Sequence, residues 1–351
     1  MEDCEALLAQ LPFEEPRRGF LVAQVRALRA LARREIDVDF GLPEMVRECL
    51  GLDVDWLPES LFEQAHEKID RALPRKRGSV AERLHAWRKR HCLPPERLGR
   101  LPALAGQAVA ETRARTHAMI APLPDAEQVD CQVVTGAGFL AVGWHRGELR
   151  STILINGDRP FNLADLLYVV AHEGHPGHIA EQVLKDVHLA RGRGYLEERV
   201  RFLPSPAFVL SEGLGLHAQG LIFPEDQAQS WLTDNVLAKQ DIEPDGSDFA
   251  AIHDARNILF GAQCNAALLA AQGRSDQEVG DYLARWGLFD DNQVKSAVAQ
   301  LSVPGGHPYI FAYYHGWELL RCCLAASSNP PQLVQRLLTE QLLPTDLRRA
   351  S

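Results

Sequence analysis

The heptapeptide His172-Glu173-Gly174-His175-Pro176-Gly177-His178 gathers three imidazoles and a carboxylate in one short stretch. Imidazole nitrogens bind divalent metals, and a carboxylate beside them can take a proton from water. The usual arrangement for that chemistry is His-Glu-x-x-His on one helix. Its histidines share a face, and the glutamate between them is the general base. Here Pro176 stands where the second histidine belongs. A proline at 176 has no N–H for the carbonyl of residue 172 and its ring crowds that carbonyl, so a helix carrying this stretch must break or bulge. In a regular helix His178 lies about 120° around from His172. If Pro176-Gly177 is absorbed as a bulge, His178 returns to the second ligand position. His172 with His175, which share a face without any bulge, is the competing pair.

A catalytic zinc takes three protein ligands and leaves a position for water. The candidate for the third is Glu212, a lone carboxylate in the apolar segment Phe208-Val209-Leu210-Ser211-Glu212-Gly213-Leu214-Gly215-Leu216-His217. A charge there is costly to bury unless it is paired or bound to a metal. Gly213 and Gly215 allow close helix approach. The plainer reading of Glu212 is a first-turn residue behind a Ser211 cap; beside the histidine cluster, the ligand reading is favoured. The oxyanion of a tetrahedral intermediate needs a donor besides the metal, and Tyr313 or Tyr314 could reach over from a neighbouring helix. Aromatic packing is the alternative for both. His217 and His315 are further candidates for contact with substrate.

These blocks resemble the family catalogued as domain of unknown function 885. Val169-Val170-Ala171-His172-Glu173-Gly174-His175-Pro176-Gly177-His178 is similar to its His-Glu-Ala-Tyr-Pro-Gly-His-His signature. Glu212-Gly213-Leu214-Gly215-Leu216-His217 resembles its Glu-Gly-Trp-Ala-Leu-Tyr block. Pro304-Gly305 and Tyr313-Tyr314-His315-Gly316 resemble its C-terminal Pro-Gly-Gln-Ala-Leu-Ser-Tyr-Lys-Ile-Gly. The likeness covers roughly residues 130–325, with His175 in place of an aromatic, Leu214 in place of Trp and His217 in place of Tyr. It implies a mainly α, multi-helix, metallopeptidase-like (gluzincin-type) fold with a small β-sheet before the metal-binding helix. It also implies one Zn2+ per chain, and Tyr313 matches the family tyrosine counted back from Gly316.

The elements that must position these residues can be read from the pattern. Residues 1–128 read as an N-terminal helical region. Phe20 to Arg33 has helical spacing, and Ser79 to His91 follows a Ser79/Glu82 capping box. Residues 129–351 read as the catalytic region, forming one unit with the first. Cys131–Thr135, Phe139–Trp144 and Glu148–Asn156 read as strands. In metallopeptidases a strand ahead of the metal helix pairs with the substrate backbone. Ser151–Asn156 is assigned that role, with Ile153 and Ile155 as contact residues; a structural sheet covering the core is the alternative. Asn162 or Asp165 starts the metal helix, and further helices follow to the C-terminus.

The chain of 351 residues carries a formal net charge of −10, with 46% hydrophobic and 24% charged residues. That suits a globular protein and argues against nucleic acid as a partner. No stretch reaches the ~18 apolar residues of a membrane span, and the acidic N-terminus lacks a signal-peptide core. Seven scattered cysteines with no C-x-x-C pair point to reduced thiols and a cytoplasmic location. The expected function is a zinc-dependent hydrolase, foremost a metallopeptidase, with Glu173 as base and His172, His178 and Glu212 as ligands. The substrate is a peptide or, as runner-up, a small amide or ester metabolite. Two histidines and a carboxylate also make the facial triad of non-haem Fe2+ oxygenases, and a non-catalytic metal-binding relative is a further alternative.

Overall fold

The computed structural model describes residues 2–36, 41–301 and 307–348, so Pro304-Gly305 of the resemblance lies outside the described residues. The N-terminal region is helical: α1 (Glu2–Gln10), α2 (Glu15–Glu35), α3 (Leu42–Leu50), α4 (Glu59–Ala72), α5 (Val80–His91) and α6 (Leu101–Met119). The capping box on α5 forms in both directions. Ser79 accepts from the Glu82 N–H, and the Glu82 carboxylate accepts from the Ser79 N–H at 2.7 Å.

Strands β1 (Gln128–Val134), β2 (Ala141–His145) and β3 (Arg150–Asn156) form one sheet in the order β1-β3-β2. β3 runs parallel to β1 and antiparallel to β2, with Ile153 opposite both Cys131 and Gly143. The segment between β1 and β2 therefore carries the chain across β3 to the far edge. This corrects the assignment of Ser151–Asn156 as the strand that meets substrate. β3 is bonded on both sides, and Ile153 and Ile155 are fully buried in the core.

Asn162 starts the metal helix, its side chain accepting from the Ala164 N–H at 2.9 Å. A single turn, Leu163–Asp165, leads into α7 (Leu166–Glu173). The helix then breaks at Gly174–Gly177, as the missing Pro176 donor requires, and restarts as α8 (His178–Lys185). After a loop come α9 (Pro206–Ile222), α10 (Gln227–Leu232), α11 (Phe249–Ala271), α12 (Asp276–Trp286), α13 (Asp291–Leu301), α14 (Ile310–Ala326), α15 (Pro330–Thr339) and α16 (Pro344–Arg348).

The largest apolar cluster joins Phe62 and Ile69 of α4, Leu104 of α6, Ile153 and Ile155 of β3, Val170 of α7 and Leu259 of α11. Residues from both sides of position 129 thus share one core. Burying each large aliphatic side chain contributes about 1.5–3 kcal/mol. A second cluster packs Met45 and Leu50 of α3 against Phe311 and Trp317 of α14. A third joins Leu184 of α8, Leu214 of α9 and Leu338 of α15. Helix α9 runs between α7 and α14. It crosses α14 where Gly213 meets Gly316, and a Cβ on either glycine would strike the other helix's backbone. Among the described residues no helix is long and apolar enough to cross a membrane, and all seven cysteines are free.

Candidate metal centre

Three elements converge on one buried point. His172 comes from the last turn of α7, His178 from the first position of α8 and Glu212 from the middle of α9. His172 Nε2 lies 3.3 Å from Glu212 Oε2, and His178 Nε2 lies 3.3 Å from Glu212 Oε1. One donor atom from each residue falls within 4.8 Å of the others, a spacing that can hold a metal ion. The two imidazoles meet edge to face with centroids 4.6 Å apart. Gly215 makes room for this approach, since a Cβ there would sit 2.6 Å from His172 ring atoms.

Hydrogen bonds behind His178 fix its tautomer. The Ser211 hydroxyl donates to Glu181, so it accepts from the His178 Nδ1–H at 2.9 Å. His178 Nε2 then faces Glu212 Oε1 at 3.3 Å, and without a metal a proton on that nitrogen pairs it with the carboxylate. Glu212 Oε2 has no hydrogen-bond partner among the described residues, while Oε1 accepts from the Tyr309 hydroxyl. Burial alone would raise the Glu212 carboxyl, but His178 and His172 hold it well below the usual carboxylate range. Burial would lower His178, yet the charge of Glu212 pushes it up to about 8. The two shifts are the two sides of one His–Glu pair, and a divalent metal on the same donors would displace its proton.

Glu173 follows His172 and borders a cleft of about 1090 Å³ that opens onto the cluster. Its Oε2 accepts from the Gly143 N–H at 2.7 Å, which fixes the carboxylate at the cleft wall. That wall is β2, the sheet's edge strand. The Gln182 side chain bridges it further on, accepting from the His145 N–H at 3.1 Å and donating to the Gly143 carbonyl at 3.2 Å.

No family model matches the chain, and no curated protein matches it. A solved structure described as "the putative lipoprotein from Colwellia psychrerythraea" is similar, with a TM-score of 0.59 at 15% identity. The likeness covers 86% of this chain but 52% of that one, so the chain spans about half of that protein's length. At this identity the likeness speaks for the fold alone. A mainly helical fold with a small three-stranded sheet and a buried His-His-Glu cluster is what the chain has.

The other residues singled out from sequence fall in three places. Tyr313 lines the cleft, stacked on Phe260 at 4.9 Å between centroids. His175 turns away from the cluster: fully buried, its Nε2 lies 2.9 Å from Glu127 Oε1, and Glu127 also takes Arg113 at 2.9 Å. The break that returns His178 to the cluster sends His175 to the opposite side. Tyr314, His217 and His315 are not among the residues lining the cleft. Tyr314 packs into the core against Trp317, because it is one residue, about 100°, around α14 from Tyr313. His217 stacks on Trp317 and pairs with its carbonyl at 2.9 Å. His315 lies between Phe311 and Tyr314. Sequence reasoning missed Tyr309, which bonds Glu212. The signal was its spacing, four residues before Tyr313 and so on one helix face. Sequence reasoning read Phe139–Trp144 as a strand but gave it no place at the site; the signal was Gly143, where a Cβ would strike the Glu173 backbone.

Proposed function

We propose that this chain is a metal-dependent hydrolase of the metallopeptidase type, cleaving a peptide or small amide bond. His172, His178 and Glu212 hold one zinc ion, and the likeness to the family catalogued as domain of unknown function 885 is part of this reading. The carrying observation is the buried Glu212 carboxylate with its oxygens 3.3 Å from the nitrogens of two imidazoles, a donor set that can hold a metal ion. A divalent ion on these donors would polarise the scissile carbonyl and lower the pKa of water to near ~7.

The chain's own groups supply the rest. Glu173 accepts a proton from the attacking water while the water oxygen bonds to the carbonyl carbon. The C–N bond then breaks, and Glu173 hands the proton to the leaving amine. The Gly143 N–H holds one Glu173 oxygen and leaves the other for the proton. Tyr309 donates to Glu212 and keeps the ligand in place. Tyr313, on the same helix face, is the donor offered to the developing oxyanion, a contact worth ~3 kcal/mol.

The same donor set supports a second reading, a non-haem iron oxygenase, because two histidines and one carboxylate form its facial triad. Glu173 favours hydrolysis, since oxygen chemistry has no use for a base beside the first ligand. Elemental analysis of protein purified without added metal, with Glu173→Gln alongside, separates the two. Zinc in both proteins, with amide hydrolysis lowered by at least ~10³ in the variant, is the expected result. Iron in both, with no amidase activity, would move the assignment to oxygen chemistry.

A further inference from the structure

Beyond the donor cluster, one wall of the cleft is formed by the end of α8, the loop after it and the start of α9. Two buried acids lie under this wall, and each has two cations near it. Glu181 takes Lys185 Nζ at 2.8 Å, and Arg201 stands 3.6 Å away as a second partner. Asp186 takes Arg191 at 2.6 Å, and Arg199 approaches it at 3.3 Å. Lys185 and Arg191 are the nearer partners of the two acids, so Arg201 and Arg199 are second cations to them. Glu198 also lines this wall and accepts from the Gln341 amide at 2.8 Å. Arg201 and Arg199 both line the cleft, with side chains 27% and 56% exposed.

Arg201 is also tied to the donor cluster. Its guanidinium lies 4.8 Å over the Phe208 ring. Phe208 packs edge-on against Tyr309, whose hydroxyl bonds Glu212. Arg201 further approaches Ser211 at 3.5 Å, and Ser211 holds His178. A planar fork held against an aromatic face, with N–H groups left over, suits a carboxylate. Trp144 on β2 and Leu203, two residues after Arg201, also line the cleft and are 57% and 51% exposed, so they offer apolar surface.

We infer that the cleft takes substrates with a carboxylate close to the bond acted on, seated on Arg201 with Arg199 beside it, and with an apolar group against Trp144 and Leu203. With a free α-carboxylate the substrate is a peptide end or an N-acyl amino acid; with an acidic side chain it is a segment carrying Asp or Glu beside the bond. This rests on the hydrolase reading of the same site. A free α-carboxylate and an acidic side chain share the required chemistry, so the test carries both.

The experiment uses zinc-loaded protein with Glu173→Gln to stop turnover, titrated calorimetrically with three probes: N-acetyl-Leu-Phe, its C-terminal amide, and N-acetyl-Leu-Glu amide. At least one acid probe should bind about ten-fold or more tightly than the neutral amide. Arg201→Gln should bring that preference to within about two-fold, leaving the neutral amide's affinity unchanged, while Arg201→Lys should keep part of it. Whichever acid probe shows the preference identifies the carboxylate's source. Equal binding of all three probes overturns the inference. So does a preference that survives both Arg201→Gln and Arg199→Gln, which would place the carboxylate on the metal instead. Turnover of the same probes with Glu173 intact tests the hydrolase reading separately: no cleavage alongside an Arg201-dependent preference removes the reaction and keeps the anion seat.

Discussion

Asp165 at the start of α7 and Glu212, which meets the far end of that helix, are both buried carboxylates, and they are neutralised in opposite ways. Asp165 accepts from Arg256 Nη1 at 2.7 Å and from His253 Nε2 at 2.8 Å. Burial would raise its carboxyl, but Arg256 and His253 hold it well below the usual range. Its cation is part of the chain and always charged. Glu212 meets two imidazoles and a phenol, and Ser211 holds one of those imidazoles with Nε2 facing it. The first region is neutralised by a cation that stays charged. The second is neutralised by a proton on His178, which a divalent cation can replace.

The sharpest way to break this comparison is to remove a carboxylate from each region in the presence of a chelator. Asp165→Ala should lose about 3 kcal/mol in denaturant unfolding, because it leaves a buried arginine without its partner. Glu212→Gln should lose less, about 1 kcal/mol, since the imidazoles it faces can give up a proton when the carboxylate is gone. Equal losses would mean that Glu212 is a structural group like Asp165. A second contrast divides the histidines. His178→Ala should abolish metal binding, measured as zinc per chain, whereas His175→Ala should keep it and lose about 1–3 kcal/mol of stability through the one Glu127 oxygen left unpaired. Retained zinc in the His178 variant with loss in the His175 variant would reverse the ligand assignment.

The smallest effect is on acid stability. The Asp165 carboxyl is depressed in the fold, so its contribution is fully present above the ordinary carboxylate pKa of about 3.9. It fades as pH falls from there through the folded value. The stability gap between wild type and Asp165→Asn, measured with a chelator present, should therefore stay constant from about pH 8 to 5 and narrow below about 4. A gap that narrows near neutrality instead would mean that the Asp165 carboxylate does not carry the effect.

Much of the site's location was legible in the chain. His172 and Glu173 sit on a helix because Leu166 to Ala171 is apolar and unbroken, and Pro176 forces the interruption wherever that helix packs. Both facts are local. The apolar setting of Glu212 signalled burial without naming its neighbours. What sequence reasoning got wrong is non-local. The choice of Ser151–Asn156 as the strand meeting substrate failed because strand order depends on which partners take each edge, and β3 is the most apolar strand and therefore the central one. Tyr314, His217 and His315 have the right chemistry for a site. They were excluded by the rotation of α9 and α14 about their axes, which the Gly213–Gly316 crossing sets.

By itself the sequence determined a break between two histidines, a lone acid in an apolar helix, a mostly helical chain and a small sheet ahead of the metal helix. Propensity, capping and proline sterics act over a few residues, so a single chain carries them openly. Tertiary structure alone decided that His178 and not His175 faces Glu212. It also decided that Tyr309 reaches that carboxylate, that β2 forms the cleft wall, and that Arg199 and Arg201 stand beside it. Those outcomes depend on which surfaces meet between elements well separated in the chain, 97 residues apart for Tyr309 and Glu212.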